Sequence, residues 1–517
     1  MVDHRFLVPT CILLLLAGCQ QAAEQPAADS AAPPAASAPV DRLMASDGVP
    51  KKTPDRSAPA TTAKRPPARP KYRAVLIKDV PHVAQRPDFC GEACVEMILK
   101  KLGKTYDQDF VFDRSGLSPL AGRGCYTQEL AAALRAIGFR PGSIWSKVRA
   151  DRLDEDMDAQ FVSLHADLLR GVPSIVCMHY DDQPKTTEHF RLLLGYDPTT
   201  DEVLYHEPAE ARGAYRRMKR TTLLKLWPLH YDRNLSTVIR LRMEPGRLIE
   251  VKAAAGYTDA DYAQHIMQLK KRLPHENFTV LIEKPFVVVG DGTSQEVRRR
   301  SENTIRWAVS KLKQDYFKKD PLHLIDIWLF KDKESYDKHT KAIWKEEPGT
   351  PFGYYSSRHR ALVMNISTGG GTLVHEIVHP FIESNFPDCP SWFNEGLASL
   401  YEQCGESRGK IVGYTNWRLE GLKKAIAQDA VPPFQELCST TTREFYDDDR
   451  GTNYAQARYL CYYLQQRGLL RTYYRAFVRN ADADPTGYKT LQKTLGVDDM
   501  EVFQKRWQTW SASLKFR

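Results

Sequence analysis

The sequence has few cysteines and, after its N-terminus, no long apolar run. Ten cysteines among 517 residues are too few for a disulfide scaffold, so each cysteine has to be interpreted separately. The lack of a second long apolar run excludes a polytopic membrane protein. Charged residues make up 26% and apolar residues 42%, which excludes a wholly disordered chain and a coiled-coil rod. No internal repeat is visible, and the length predicts about two to four domains.

The N-terminus has the form of an export signal. Residues 6–17 are largely apolar and follow Arg5, and the run is too short to span a bilayer. It ends in Leu-Ala-Gly-Cys at residues 16–19, which resembles the bacterial lipobox. The resemblance implies that residues 1–18 are removed and that Cys19 is lipidated. Gln20 instead of Asp then favours the outer membrane, facing the periplasm. A plain secretory signal, or a cytosolic protein with an apolar start, is the alternative.

Residues 19–71 are predicted to be a disordered tether. Positions 20–71 contain 14 Ala and 10 Pro but no aromatic residue, so they cannot bury a core. Of the net charge of +9, seven Lys/Arg against one Asp place +6 in residues 51–71. This location argues against nucleic acid as the partner. It fits either attraction to an anionic envelope surface or an ordinary solvated linker.

Patterns typical of folded structure begin near Tyr72. A strand-like run at 237–241 precedes Pro245-Gly246, which we interpret as a seam. The prediction is an α+β, multidomain protein with folded regions at 72–245 and 246–517.

Cys90 begins a helical pattern. Small or apolar residues recur at Cys90, Ala93, Cys94, Met97, Ile98 and Leu102. This spacing predicts one buried helix face, and Gly103 predicts the end of the helix. At a helix N-terminus the dipole is expected to lower the pKa of the Cys90 thiol and favour the nucleophilic thiolate. Cys94, one turn later, is interpreted as a structural thiol.

A base and an acid follow on predicted strands. His189 opens an apolar run that continues to Tyr196, and the next strand leads to Glu207-Pro208. Cysteine, histidine and carboxylate so placed can act as nucleophile, base and orienter. Gln85, five residues before Cys90, offers an amide that can stabilise an oxyanion together with the Cys90 backbone N–H.

These residues resemble the papain-like cysteine peptidases whose best-known members trim bacteriocin leader peptides. The resemblance covers roughly 72–245 and includes a predicted helix at 127–137. It implies Cys90 as nucleophile, His189 as base and Gln85 as oxyanion donor.

The match departs from the family at the orienting acid. The family usually has Asp where Glu207 stands, so Asp197 and Asp201 remain alternative orienters. No transporter segments accompany the region, so export of a leader peptide is not implied. A catalytically silent member would still bind extended peptides in the same groove.

The second region contains a metal-binding pattern. His375 and His379 are four residues apart, so on a helix they share one face and can reach one metal ion. Glu376 lies beside them and can accept a proton from an attacking water. Thr372 is the expected N-cap. Pro380 removes a helix hydrogen bond and is expected to kink or end the helix.

A third ligand is needed, and Glu395 lies sixteen residues after His379 in Trp-Phe-Asn-Glu-Gly-Leu-Ala. The two motifs in this order resemble the gluzincin zinc metallopeptidases, especially the aminopeptidase-like branch. The resemblance implies a mixed sheet lobe plus a helical lobe, Zn²⁺ on His375, His379 and Glu395, and Glu376 as base. It also makes Tyr454 a donor to the tetrahedral intermediate, although a core tyrosine is the alternative. Glu383, one turn past His379, is the rival third ligand.

Several further expectations complete the prediction. The strand that carries Asn365 would align a peptide substrate if it lay at a sheet edge; otherwise it is an interior strand. The second region has four cysteines, which allow three disulfide pairings. We therefore expect an exported, lipid-anchored peptidase that acts on peptides or proteins. The alternatives are a cysteine domain that only binds peptides, and a non-catalytic envelope scaffold.

Overall fold

The computed structural model describes residues 71–184, 186–251, 256–275, 277–447 and 452–516. The predicted signal, Cys11, the lipidation site Cys19 and the tether up to residue 70 lie outside these residues. Within the described ranges, no helix is both long and apolar enough to cross a membrane.

The first region is built on an antiparallel sheet. Its strands are β1 (Val75–Leu76), β2 (Phe139–Arg140), β3 (Trp145–Arg149), β4 (Ser174–His179), β5 (Glu188–Asp197), β6 (Glu202–His206), β7 (Arg216–Lys219), β8 (Leu235–Arg242) and β9 (Glu244–Pro245). The sheet order is β3-β8-β4-β5-β6-β7, and β1 also pairs with β5. The small strands β2 and β9 pair with each other.

Helices of the first region surround this sheet. They are α1 (Cys90–Lys101), α2 (Gln108–Phe112), α3 (Thr127–Ile137), α4 (Leu153–Leu169) and α5 (Arg220–Leu226). The predicted ends of α1 and α3 are confirmed, since Gly103 and Gly138 both have left-handed backbones, which glycine adopts without strain.

The second region contains a mixed sheet. Its strands are β10 (Thr279–Glu283), β11 (Phe286–Gly290), β12 (Ile325–Phe330), β13 (Gly353–Ser356) and β14 (Ala361–Asn365), and the hairpin β15 (Cys404–Ser407) and β16 (Lys410–Gly413) follows separately. The order of the mixed sheet is β10-β11-β12-β14-β13, with β11, β12 and β14 parallel. The strand carrying Asn365 is therefore an interior strand, and the idea that it aligns a substrate at the sheet edge is wrong. The edge beside it is β13.

Helices pack on both faces of this sheet and form the rest of the region. They are α6 (Asp259–Arg272), α7 (Ser294–Arg300), α8 (Trp307–Asp315), α9 (Lys333–Trp344), α10 (Gly371–Asn385), α11 (Ser391–Leu400), α12 (Arg418–Ala427), α13 (Phe434–Ser439), α14 (Thr442–Asp447), α15 (Thr452–Gln466), α16 (Leu470–Asn480), α17 (Tyr488–Leu495) and α18 (Met500–Ser513). One π-helical turn, Ser301–Arg306, joins α7 to α8.

The mixed sheet separates two hydrophobic cores because successive side chains of a strand face opposite sides. Ile327 and Leu329 of β12 face the core that contains α10, α11 and α15. Trp328 faces the other core, with Tyr262 of α6 and Tyr336 of α9. Helix α10, with its two histidines, is thus held between the sheet and the helical part.

The start of α10 depends on a close backbone approach. A Cβ on Gly371 would lie 2.0 Å from the carbonyl oxygen of Glu402, so only glycine fits there. The predicted N-cap is wrong: Gly370 is the N-cap, and Thr372 lies inside the helix. Pro380 does not end the helix, which continues to Asn385. Packing on both sides of α10 outweighs the lost hydrogen bond.

The two regions are in contact within one unit of residues 73–517. The backbone N–H groups of Gly246 and Ile249 donate to Gly138 and Ile137, so the first region holds the chain beyond the predicted seam. The Gln264 amide of α6 donates to the Pro87 carbonyl at 2.8 Å. The predicted α+β class is confirmed, while the division at 245/246 stays a prediction.

Candidate functional sites

Cys90 is the first residue of α1 and is half-buried. The nearby backbone of Phe190, the residue after His189, acts to lower the pKa of its thiol. Burial, together with the nearby charges of Glu92 and Asp88, raises the pKa of the thiol to about 12. The predicted lowering of this pKa is therefore wrong, because desolvation outweighs the modest effect of the helix N-terminus.

Glu207 is the acid that contacts His189. His189 Nε2 lies 2.5 Å from Glu207 Oε1, and the Arg191 guanidinium donates to Glu207 Oε2 at 2.6 Å. Burial alone would raise the pKa of Glu207, but the hydrogen bond and charge of His189, with Arg191, lower it below its usual value. Both oxygens of this buried carboxylate therefore have partners.

The alternative orienters do not contact His189. Asp197 pairs with Arg217, and Asp201 accepts hydrogen bonds from Tyr196 and Arg220. Among the three acids considered, the structure places only Glu207 beside His189.

Arg191 is a site residue that the sequence analysis missed. Side chains two apart on a strand share a face, so His189 and Arg191 of β5 both reach Glu207. This alternation can be seen in the sequence, but it does not identify Arg191 as a site residue until the acid that contacts His189 is known.

Gln85 is tied to the loop that follows Glu207. Its backbone N–H donates to the Pro208 carbonyl at 2.8 Å. Its side-chain Oε1 is buried and has no hydrogen-bond partner among the described residues. The loop thus brings the predicted oxyanion donor to the same end of the sheet as Glu207.

In the second region, His375, His379 and Glu395 converge. Each offers one donor atom, and these atoms all lie within 4.8 Å of one another. The His375 Nε2 to Glu395 Oε2 distance is 3.3 Å, and His379 Nε2 lies 3.9 Å from Glu395 Oε1. Helix α10 provides both imidazoles and α11 provides the carboxylate. The rival Glu383 is not part of this group and accepts a hydrogen bond from the Tyr355 hydroxyl.

The chemistry of this donor set fits zinc. Two imidazoles and one carboxylate are the ligands of catalytic zinc sites that keep a position open. Glu395 Oε2 is buried and has no hydrogen-bond partner in the described part of the chain, a costly arrangement unless a cation satisfies it. Although burial opposes it, the two imidazoles and Tyr446 hold the pKa of Glu395 at about 2.

A second layer of polar groups orients the imidazoles. Glu402 Oε1 lies 3.4 Å from His375 Nδ1, and Asn394 Oδ1 lies 3.0 Å from His379 Nδ1. Arg418 and Asn416 in turn donate to Glu402. Each histidine therefore directs its Nε2 toward Glu395. Glu402 was not predicted from the sequence, since it lies four residues beyond the Trp-Phe-Asn-Glu-Gly-Leu-Ala motif that contains Glu395.

Glu376 is held beside the three donors. Its Oε2 accepts the backbone N–H of Tyr355 at 3.0 Å and lies 3.8 Å from His379 Nε2. Burial raises the pKa of Glu376, and the charges of His375 and His379 oppose that rise. The edge strand β13 thus fixes the carboxylate that the motif predicts as a base.

Two tyrosines border the cluster. The Tyr446 hydroxyl donates to Glu395 Oε1 at 2.6 Å, a contact that nothing in the sequence indicates. Tyr454 is 7% exposed, and its ring centre lies 6.1 Å from that of Tyr446. The Arg418 guanidinium lies 4.9 Å from the Tyr454 ring centre. Tyr454 therefore lies near the predicted ligands.

The eight cysteines in the described ranges are free thiols. No disulfide joins the four cysteines of the second region, so none of the three pairings is present in this structure.

Comparison with known proteins bears on the first region. Residues 77–233 match the Peptidase_C39 like family, so the chain contains a domain like that of a cysteine peptidase. The papain-like part of the predicted resemblance is thereby confirmed. A similar solved structure is the peptidase domain of Streptococcus ComA, a bi-functional ABC transporter involved in a quorum-sensing pathway. It is 15% identical, covers 32% of this chain and 99% of that chain, and has a TM-score of 0.21. No curated protein is significantly similar to the chain.

Proposed function

We propose that the protein is an exported peptidase with two hydrolytic centres, one based on Cys90 and one on zinc. The zinc centre, of gluzincin type, is the principal activity. One observation carries it: His375, His379 and Glu395 converge beside Glu376 in a buried site. Peptides or proteins are the substrates of both centres.

In the second region, this chain's side chains divide the work of peptide hydrolysis. His375, His379 and Glu395 would hold the metal. A bound zinc ion would polarise the scissile carbonyl and acidify the attacking water. Glu376 accepts the proton of that water and later passes it to the leaving amine. Tyr454 donates a hydrogen bond to the oxyanion, and burial keeps its hydroxyl protonated because it raises the pKa of Tyr454 well above the usual value.

In the first region, a thiol with a raised pKa has to lose its proton as it attacks. His189 takes the Cys90 proton while the sulfur bonds to the substrate carbonyl carbon. Gln85 and the Cys90 backbone N–H stabilise the oxyanion, and His189 returns the proton to the departing amine. Water then hydrolyses the thioester. Glu207, itself held by Arg191, keeps the imidazole oriented.

A second candidate function is a first region that binds peptides without cleaving them. The raised thiol pKa of Cys90 favours it, because little thiolate forms near neutral pH. In this case the zinc centre is the sole hydrolytic site.

The proposed location rests on the N-terminal motif. Cys19, once lipidated, would anchor the chain at the outer membrane facing the periplasm. Replacement of Cys19 by Ser should release the protein from the membrane fraction; a Cys19→Ser variant that stays there would contradict the anchor.

The decisive experiment uses the full-length protein, a quenched fluorescent peptide library and metal analysis. Wild type, Cys90→Ala and Glu376→Ala are compared, each with and without a chelator. We expect about one zinc per chain and a chelator-sensitive turnover that Glu376→Ala alone removes. A chelator-resistant turnover that Cys90→Ala removes assigns cleavage to the first centre; its absence supports the binding-only candidate. If the protein contains no zinc and shows no turnover, both the two-centre peptidase and the candidate with a single zinc centre are contradicted.

A further inference from the structure

Helix α6 of the second region contacts both folded regions. Tyr262, on one side of the helix, is buried in the core that also contains Trp328 of β12. On another side, the Ala260 backbone N–H donates to a carboxylate at the end of α2 at 3.0 Å. One turn later, Gln264 is 8% exposed, and its side-chain amide donates to the Pro87 carbonyl at 2.8 Å. The helix therefore reaches the loop that precedes α1.

The Pro87 carbonyl lies in the middle of a tight turn. The Phe89 backbone N–H donates to the Arg86 carbonyl at 3.0 Å and closes a four-residue turn. Pro87 and Asp88 occupy its two central positions, and the φ angle of Asp88 is 64°, in the left-handed region. Because proline has a fixed negative φ, a positive φ at the position after it identifies a type II turn.

The residues of this turn do not favour type II by themselves. Type I and type II turns differ in the orientation of the central peptide plane, here the one that joins Pro87 to Asp88. Proline suits the second position of both types, but type II requires a positive φ at the third position, where Gly or Asn is preferred. A left-handed Asp88 therefore persists because its surroundings hold it.

Both regions contribute to holding the turn. In the first region, the Gly124 backbone N–H donates to Asp88 Oδ2 at 2.9 Å, and a Cβ on Gly124 would lie 1.9 Å from the Asp88 carbonyl oxygen. These contacts hold Asp88 itself. Gln264 instead holds the Pro87 carbonyl, whose direction reverses between the two turn types. The contact from α6 thus bears directly on the orientation of the central peptide plane.

We propose that Gln264 is a positioning residue for the first centre, because its hydrogen bond holds the loop before Cys90 in the type II turn. The proposal rests on the proposed function, in which Gln85 and the Cys90 backbone N–H stabilise an oxyanion. The turn at residues 86–89 lies directly between these two donors, so a change of turn type alters their relative position. Because catalysis depends on such positions to within about 1 Å, the second region helps to complete the first centre.

The test uses the full-length protein with Gln264→Met, which keeps the length of the side chain but removes the donor. Hydrogen–deuterium exchange of residues 85–90, measured by mass spectrometry, should be about tenfold faster than in wild type, as for the loss of one hydrogen bond. The kcat of chelator-resistant peptide turnover should fall about tenfold with KM unchanged, since the oxyanion forms only in the transition state. Chelator-sensitive turnover should stay at the wild-type level.

The matched control is Gln268→Met, at an exposed position one turn further along α6. Its exchange and both of its turnover rates should match those of wild type. A second variant tests the turn itself: Asp88→Asn keeps a side-chain acceptor for the Gly124 N–H and favours the positive φ. In the double variant Gln264→Met/Asp88→Asn, exchange and kcat should return to the values of Asp88→Asn alone.

Two results would overturn the proposal: exchange in Gln264→Met that equals exchange in Gln268→Met, or a defect that Asp88→Asn does not relieve. Absence of chelator-resistant turnover in wild type would contradict cleavage at Cys90 instead. The exchange rates of the same variants then decide by themselves whether Gln264 sets the turn.

Discussion

The two candidate centres bury similar groups but satisfy them differently. In the first region, the Glu207 carboxylate has His189 and Arg191 as partners, so its polar atoms are paired by the chain itself. In the second region, Glu395 Oε2 remains without a hydrogen bond among the described residues. Because buried polar groups are costly when unpaired, the chain itself satisfies the Glu207 carboxylate, whereas Glu395 has an oxygen that a bound cation would satisfy.

The proposed bases also differ in how they are held. Glu207 contacts His189 and is itself contacted by Arg191, so the position of the imidazole depends on two other ionisable side chains. Glu376 is held by a backbone N–H of β13, which does not titrate. The support of the proposed base should therefore respond to acid in the first centre and not in the second.

The largest effect should come from the base of the second centre. In Glu376→Gln, chelator-sensitive peptide turnover should fall about 10³-fold, because general base catalysis is lost. Zinc content should stay near that of wild type, since the three donors remain. The measurements are kcat and metal analysis.

Glu383→Gln is the matched control, because Glu383 lies on the same helix and bonds Tyr355. Turnover and zinc content should be unchanged in it. A loss of zinc in Glu383→Gln would instead make the rival ligand correct.

The next effect tests the oxyanion role in the first centre. In Gln85→Ala, chelator-resistant turnover should fall about 10²-fold, as for loss of one oxyanion donor. The rate of Cys90 alkylation by iodoacetamide should not change, because alkylation forms no oxyanion. Gln128→Ala, at an exposed position of α3, is the control. Equal losses in turnover and alkylation would indicate a merely structural Gln85.

A smaller effect probes the second layer around His375. Glu402→Gln removes the charge next to His375 Nδ1 and should weaken zinc affinity about 10–100-fold. Competition with a chromogenic chelator measures it. Glu406→Gln, on the exposed hairpin, should bind zinc like wild type. If both variants bind equally well, Glu402 does not orient the ligand.

The smallest effect concerns acid stability. The folded pKa of Glu207 lies below its ordinary value of 4.5, so its stabilisation is fully present above that pH and is lost as pH falls through the folded pKa. Glu207→Gln should melt about 5 °C lower at pH 7, and the difference should shrink as the pH falls below 4.5 and through the folded pKa. Circular dichroism melting from pH 7 to 3 measures this.

Glu210→Gln is the control here, because Glu210 forms a half-exposed pair with Arg216. Its melting temperature should follow wild type across the whole pH range. A difference for Glu207→Gln that does not change with pH would contradict a lowered pKa.

Local patterns predicted much of both centres. The helix that starts at Cys90, the helix that carries His375 and His379, and the strand that starts near His189 follow from periodicity and from glycine positions. These are properties of neighbouring residues, so a single sequence contains them. The predicted limits of helix α10 were wrong, because Thr372 is not its N-cap and Pro380 does not end it.

Contacts between residues that are distant in sequence could not be predicted from such local patterns. The choice of Glu207 over Asp197 depends on how β5 and β6 pair, and the choice of Glu395 over Glu383 depends on how α11 packs on α10. Strand β13 forms the edge of the second sheet because it pairs antiparallel with β14, and this pairing makes β14 an interior strand.

By itself, the sequence determined the kinds of residue available and the faces of helices and strands that they share, because these follow from spacing along the chain. Tertiary structure alone decided which of those residues meet and how strongly each is desolvated. The Cys90 thiol illustrates the difference: its helix position predicted a lower pKa, whereas burial raises that pKa to about 12. Desolvation depends on every group that surrounds an atom, and most of those groups are distant in sequence.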